Sequence, residues 1–185
     1  MKITDNFHLP QAKDLILVMN PTLHIGQIAS QSAAVAGLGF LLHYNERLAL
    51  GPLYRVTLNE IALPGSNGGD RFQFRNMGLQ FHYLLHTSKK IQLSFPLTAG
   101  IETLLYSTST PVKPGDKSNY MFLEPGVSLD VSIVKYVKLG VGLRYHFVPT
   151  VSYYTLHSGD LNSMDVVFSA MFGIFNFRTP SKLRI

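Results

Sequence analysis

From Val127 to Phe147 the chain alternates large apolar and small side chains almost without a lapse. Val127, Leu129, Val131 and Ile133 are separated by Ser128, Asp130 and Ser132. After Lys135-Tyr136, Val137, Leu139, Val141, Leu143, Tyr145 and Phe147 are separated by Lys138, Gly140, Gly142, Arg144 and His146. A period of two held over whole segments describes β-strands with two unlike faces, and a short connection makes the pair an antiparallel hairpin. The second face decides the environment. A soluble sheet would crowd it with Lys, Glu and Thr, whereas here it is Gly, Ser and a few charges. Such a face suits the crowded lumen of a narrow barrel, so the continuous apolar face is predicted to meet lipid.

The rest of the composition is compatible with that reading. The 185 residues point to one domain, and only 15% of them are charged. With no cysteine, disulfides and thiolate metal sites are excluded. The net charge of +5 comes from scattered basic residues without a basic helix or aromatic RNA-binding signature, so nucleic acid is not an expected partner. No apolar run reaches the roughly 18 residues of a transmembrane helix, which leaves a β-barrel open. The start, MKITDNFHLP, lacks the apolar stretch of a secretory signal. An exported chain is therefore expected to have lost its signal peptide.

Taken in order, residues 1–14 read as an extended lead-in. A first strand covers Leu15 to about Ile28, with a bulge or break expected at Asn20-Pro21 because proline cannot donate to a ladder. Ala29–Ser32 is a turn, and a second strand runs from Ala33 to Tyr44. Asn45-Glu46 connects to a third strand from Arg47 to about Leu63. The cluster PGSNGGD (Pro64–Asp70) is a dense turn signal. Strand four covers Phe72–His86 and strand five Ile91–Tyr106, joined by Ser88-Lys89-Lys90. A polar, Pro-rich loop, Ser107–Asn119, leads into the opening hairpin. Residues 148–163 form another long loop, strand eight runs from about Met164 to Phe177, and 178–185 is a basic tail. Pro96 and Pro125 fall on strands and predict bulges that set curvature. Short connections mostly alternate with long ones, the pattern of tight periplasmic turns and longer outer loops. The expected fold is all-β: an eight-stranded antiparallel up-and-down transmembrane β-barrel spanning 15–177.

The stretches GLGFLLHYNERLALG (Gly37–Gly51), IQLSFPLTAGIE (Ile91–Glu102) and FLEPGVSLDVSIVKYVKLGVGLRYHFV (Phe122–Val148), with Phe175-Asn176-Phe177 at the end of the last strand, carry a resemblance. Together they resemble small, largely uncharacterised outer-membrane β-barrels of Gram-negative bacteria, similar in outline to OmpA- and OmpX-type eight-stranded barrels. The resemblance covers about residues 23–177. It implies a fold and an outer-membrane location, and it makes the terminal aromatic an assembly signal. It implies no activity.

By alternation the inward set includes Arg55, Gln80, His82, Glu102, Glu124, Asp130, Arg144 and His146. In a narrow lumen these acids and bases are expected to pair as a polar network that plugs the barrel, since an unpaired buried charge costs several kcal/mol. A polar path or a small ligand site is the competing reading. His82 and His86 lie four apart along a strand and cannot surround one metal, and no HExxH spacing occurs, so no metal or cofactor is expected. His146, His157, Ser158 and Asp160 lie near the outer end, where a lipid-modifying enzyme would need its constellation, but no GxSxG elbow is present. His157–Asp160 is expected to be a polar loop tip. Tyr44, Tyr83, Tyr106, Tyr120, Tyr136, Tyr145 and Phe147 are candidates for an interfacial belt. Lys89, Lys90, Lys135, Arg178, Lys182 and Arg184 gather at the short-turn end. The expected role is non-enzymatic: a structural or partner-binding barrel in contact with outer-membrane lipid and another outer-membrane or periplasmic protein. The alternatives are a soluble lipocalin-like barrel with its faces inverted around an apolar ligand, and a lipid-modifying enzyme.

Overall fold

The computed structural model describes residues 15–44, 47–64, 70–86, 90–107, 119–149, 152–153 and 156–175. The lead-in 1–14, the connection Asn45-Glu46, the loop core 108–118 and the tail 178–185 lie outside this set. Eight long strands follow one another: β1 (Leu15–Ile28), β2 (Gln31–Tyr44), β3 (Leu48–Thr57), β4 (Arg71–His86), β5 (Ile91–Ser107), β6 (Asn119–Val134), β7 (Val137–His146) and β8 (Ser163–Phe172). Each pairs antiparallel with its neighbours in sequence, and β8 pairs with β1, so the sheet closes. Closure removes both edges, which in lipid would leave backbone groups without partners.

The register fixes the barrel's shape. Leu15 leads to Tyr44, Leu48, Tyr83 and Phe95, across to Val127 on an unbroken register, then to Leu143, Val166 and back to β1 at Ile25. One circuit therefore returns ten residues farther along β1. That stagger is about 33 Å, against about 38 Å for eight strand spacings, and it corresponds to a tilt of about 40°.

Several elements differ from the sequence reading. The first turn is only Ala29-Ser30, and both residues have positive φ, 49° and 62°. Two left-handed residues give the twist that a two-residue hairpin needs, so β2 begins at Gln31 instead of Ala33. The third strand breaks at Leu58–Glu60 and resumes only as Ile61–Ala62 beside β4. Strand eight ends at Phe172, and Phe175 turns into the barrel mouth, where it is 7% exposed. Of the Phe175-Asn176-Phe177 expected at the end of the last strand, Phe175 is thus off the strand, and Asn176 and Phe177 lie outside the described set.

The proline expectations also change. Pro21, Pro96 and Pro125, and Pro52 with them, cause no register shift. Each keeps one ladder (Pro21↔Leu38, Pro52↔Leu79, Pro96↔His82, Pro125↔Leu97) and interrupts the other. β1 meets β8 at Met19 and Thr22 but not between. The strand absorbs the missing N–H as a local gap, because closure holds the register on both sides. The bulge that does occur lies at Ser132–Val134, where β6 enters the Lys135-Tyr136 turn.

Outward positions are apolar over most of the wall, including Leu79, Phe81, Leu97, Leu129, Val141 and Phe168, all at least 39% exposed. In water such a surface would be prohibitively unfavourable; in a bilayer it is the expected exterior. The interior is polar at mid-height, so the inverted, soluble arrangement does not match these faces.

Candidate functional site

The inward side chains form three layers along the barrel axis. At the short-turn end, Val18, Leu41, Ala49, Leu84, Met171 and Phe175 pack together. Lys138 Nζ lies 4.3 Å above the Phe175 ring. At the long-loop end, Val35, Phe72, Phe74, Leu104, Phe122 and Leu161 belong to a second apolar cluster. Leu161 comes from the loop between β7 and β8, on a single helical turn, Ser158–Leu161. The backbone N–H of His157 donates to Asp160 Oδ2 at 2.9 Å, and Ala29 N–H donates to the Asp160 carbonyl at 2.7 Å. The expected polar loop tip is therefore a tethered turn whose last residue fills the barrel mouth.

Between the apolar layers lie the polar residues. Arg55 and Glu124 are 2% and 1% exposed, and Arg55 Nη1 donates to Glu124 Oε2 at 2.7 Å. His146 stands between two acids, its Nδ1 3.2 Å from Glu124 Oε2 and its Nε2 3.2 Å from Glu102 Oε2. Phe122 stacks on the His146 imidazole with centroids 5.1 Å apart, and the Arg55 guanidinium lies 5.3 Å from the same ring. A second group sits nearer the short turns. Ser94 Oγ donates to Asp130 Oδ2 at 2.8 Å, Arg144 Nη2 donates to Ser128 Oγ at 3.1 Å, and Lys138 Nζ donates to Gln92 Oε1 at 2.7 Å. Gln80 Oε1 and His82 Nε2 are 3.3 Å apart.

All eight residues singled out from the sequence are buried on the inner face. The structure brings Arg55, Glu102, Glu124 and His146 into one contiguous cluster, and places Asp130 with Arg144 around Ser94 and Ser128. Gln80 and His82 form a separate pair. Sequence reasoning missed His24, Ser163 and Asp165. His24 Nδ1 lies 3.4 Å from Arg55 Nη1 and 3.8 Å from Asp165 Oδ2, and Ser163 Oγ donates to Asp165 Oδ1 at 2.9 Å. Extending the alternation through Pro21 would have turned Asn20, Thr22 and His24 inward. Tyr120, placed in the interfacial belt, is in fact inward and 8% exposed.

Two chemical readings can be weighed against this geometry. One ligand atom each from His24, Glu124 and Asp165 lie within 4.8 Å of one another, close enough to surround a cation. The Arg55 guanidinium already holds that space, bonded to Glu124, and a second cation beside it is unfavourable. Ser163, Asp165 and His24 contain the residue types of a hydrolytic triad in the wrong order. The serine donates to the carboxylate instead of to the imidazole, so nothing activates it.

No family model matches the sequence, and no curated protein matches it. Solved structures do. Neisserial surface protein A is similar over 86% of this chain and 96% of its own, with a TM-score of 0.63 at 12% identity. The chain has the fold of an outer-membrane β-barrel. Ail of Yersinia pestis, solved in complex with the heparin analogue sucrose octasulfate, covers 86% of this chain and 97% of its own at TM-score 0.52 and 11% identity. The N-terminal β-barrel domain of Pseudomonas aeruginosa OprF covers 84% and 96%, at 0.52 and 8%. These barrels match the OmpA- and OmpX-like architecture and the outer-membrane setting that the sequence resemblance implied.

Proposed function

We propose that the protein is a closed, non-enzymatic outer-membrane barrel that serves as a rigid scaffold and presents its long-loop end to a partner protein. One observation carries this reading: between two apolar layers the lumenal charges are held in ion pairs, as in Arg55, Glu102, Glu124 and His146, or in hydrogen bonds to neutral side chains, as in Asp130, Arg144 and Lys138. Charges held in this way are not free to line an aqueous path, and the apolar side chains at each mouth disfavour an ion's entry. His146, the strongest acid–base candidate, is held between two carboxylates inside the wall, away from any acyl chain outside it. Loops on a rigid scaffold are a common place for recognition.

Conductance measurements test the closed lumen. Purified barrel inserted into planar bilayers is expected to give no sustained conductance steps, whereas stable steps that scale with protein amount would refute the scaffold reading in favour of a pore. Incubation with phospholipid in mixed micelles is expected to leave the lipid chemically unchanged. Acyl transfer or hydrolysis lost on replacing His146 or His157 would make the protein an enzyme.

A further inference from the structure

The wall carries one charged interruption. In the eight strands, every described Asp, Glu, Lys or Arg faces the lumen except Arg71 and Arg75, which point outward from β4 with Gln73 between them. The polar strip continues sideways: Arg75 pairs across the sheet with Thr103, and Thr103 Oγ1 donates to Asn119 Oδ1 at 2.8 Å. Among the described residues, the acids that flank this stretch in sequence are Glu60 and Asp70. Glu60 lies a loose 3.7 Å from Arg71, both side chains being exposed. Among the described residues Arg75 has no acidic partner.

Height along the barrel identifies what these groups meet. At a tilt of about 40°, each two-residue step along a strand gains about 5 Å. The apolar outward residues of β4 run from Met77 to Leu85, so they cover about 20 Å, most of the roughly 25 Å band of such barrels. Arg75 then lies at the hydrocarbon edge and Arg71 about 10 Å beyond it, in the headgroup layer. An outward guanidinium at that depth, with no close carboxylate among the described residues, is matched by an anion from the membrane. Guanidinium matches phosphate in a bidentate fork. On β8, by contrast, the outward residues at the same end are Met164 and Val166, which offer no such group.

We infer that the Arg71–Gln73–Arg75 face of β4, with Thr103 and Asn119 beside it, is a docking site for the phosphate of an anionic lipid headgroup in the leaflet at the long-loop end. This rests on the membrane-barrel reading and adds a lipid contact confined to one sector of the wall.

Native mass spectrometry of the folded barrel tests it, with phosphatidylglycerol and zwitterionic phosphatidylcholine doped in turn into the detergent micelles. The wild-type barrel is expected to retain phosphatidylglycerol several-fold more often than phosphatidylcholine. The double variant Arg71→Gln, Arg75→Gln should lose that preference at least fivefold, while Lys135→Gln at the opposite end should keep it. A double variant with undiminished preference, or a Lys135→Gln variant that loses it equally, would overturn the site. A heat-modifiable gel band checks each sample first. A wild-type chain with no such band counts against the membrane barrel itself, whereas a banded barrel without lipid preference counts only against this site.

Discussion

At the scale of single residues, stability in the lumen depends on mutual satisfaction of charge. Arg55 touches Glu124, His24 and the Phe122 ring, so removing it strands a carboxylate in a water-poor layer. Arg55→Met is expected to cost about 3–5 kcal/mol, and Arg55→Met with Glu124→Leu to recover more than half of that. Urea unfolding in lipid vesicles measures both; simple additivity of the two losses would show that the pair is not coupled. Glycines on the inner face set a second limit. A Cβ built at Gly51 would run into the Phe40 carbonyl oxygen, a backbone atom that closure prevents from moving. Gly51→Ala should therefore destabilise by about 1–3 kcal/mol in the same assay.

At the scale of elements, the β1–β2 hairpin is under local strain. Ala29 and Ser30 both occupy left-handed backbone that favours Asn and Gly, so replacing the pair by Asn-Gly is expected to raise stability by about 1–2 kcal/mol. No gain in the unfolding midpoint would mean that the Asp160 tether, and not the turn, sets the hairpin's geometry. The proline strands predict the opposite. Pro52 faces an existing gap in the β2–β3 ladder, between the Gly39↔Leu53 and Leu42↔Leu50 pairs, so Pro52→Ala should change stability by less than about 1 kcal/mol.

At the scale of the whole molecule, the apolar exterior and polar middle make lipid part of the folded state. A charge placed outward at mid-band, as in Phe81→Arg, should cost at least about 2–4 kcal/mol, whereas Asn119→Arg at the rim should cost about 0–1 kcal/mol. Vesicle refolding titrations distinguish the two, and equal costs would mean that the exterior does not face hydrocarbon.

The sequence by itself determined the fold class, most strand positions and which residues of the regular strands face inward. Alternation of period two is a local property: once Val127 is outside, Asp130 and Arg144 must be inside. The faces of β1 and β8 stayed unread because Pro21 and the long loop before Ser163 interrupted the pattern, and so His24 and Asp165 were missed. Only the tertiary structure decided that the prolines leave the register intact, since a closed sheet constrains each strand from two sides. It also decided the ten-residue stagger, which is a sum over eight pairings that no single hairpin reveals. That stagger brings Arg55, Glu124 and His146, far apart in sequence, to one height in the lumen. It also sets Arg75 at the edge of the apolar band and Arg71 beyond it, because height in a tilted barrel depends on every strand before it.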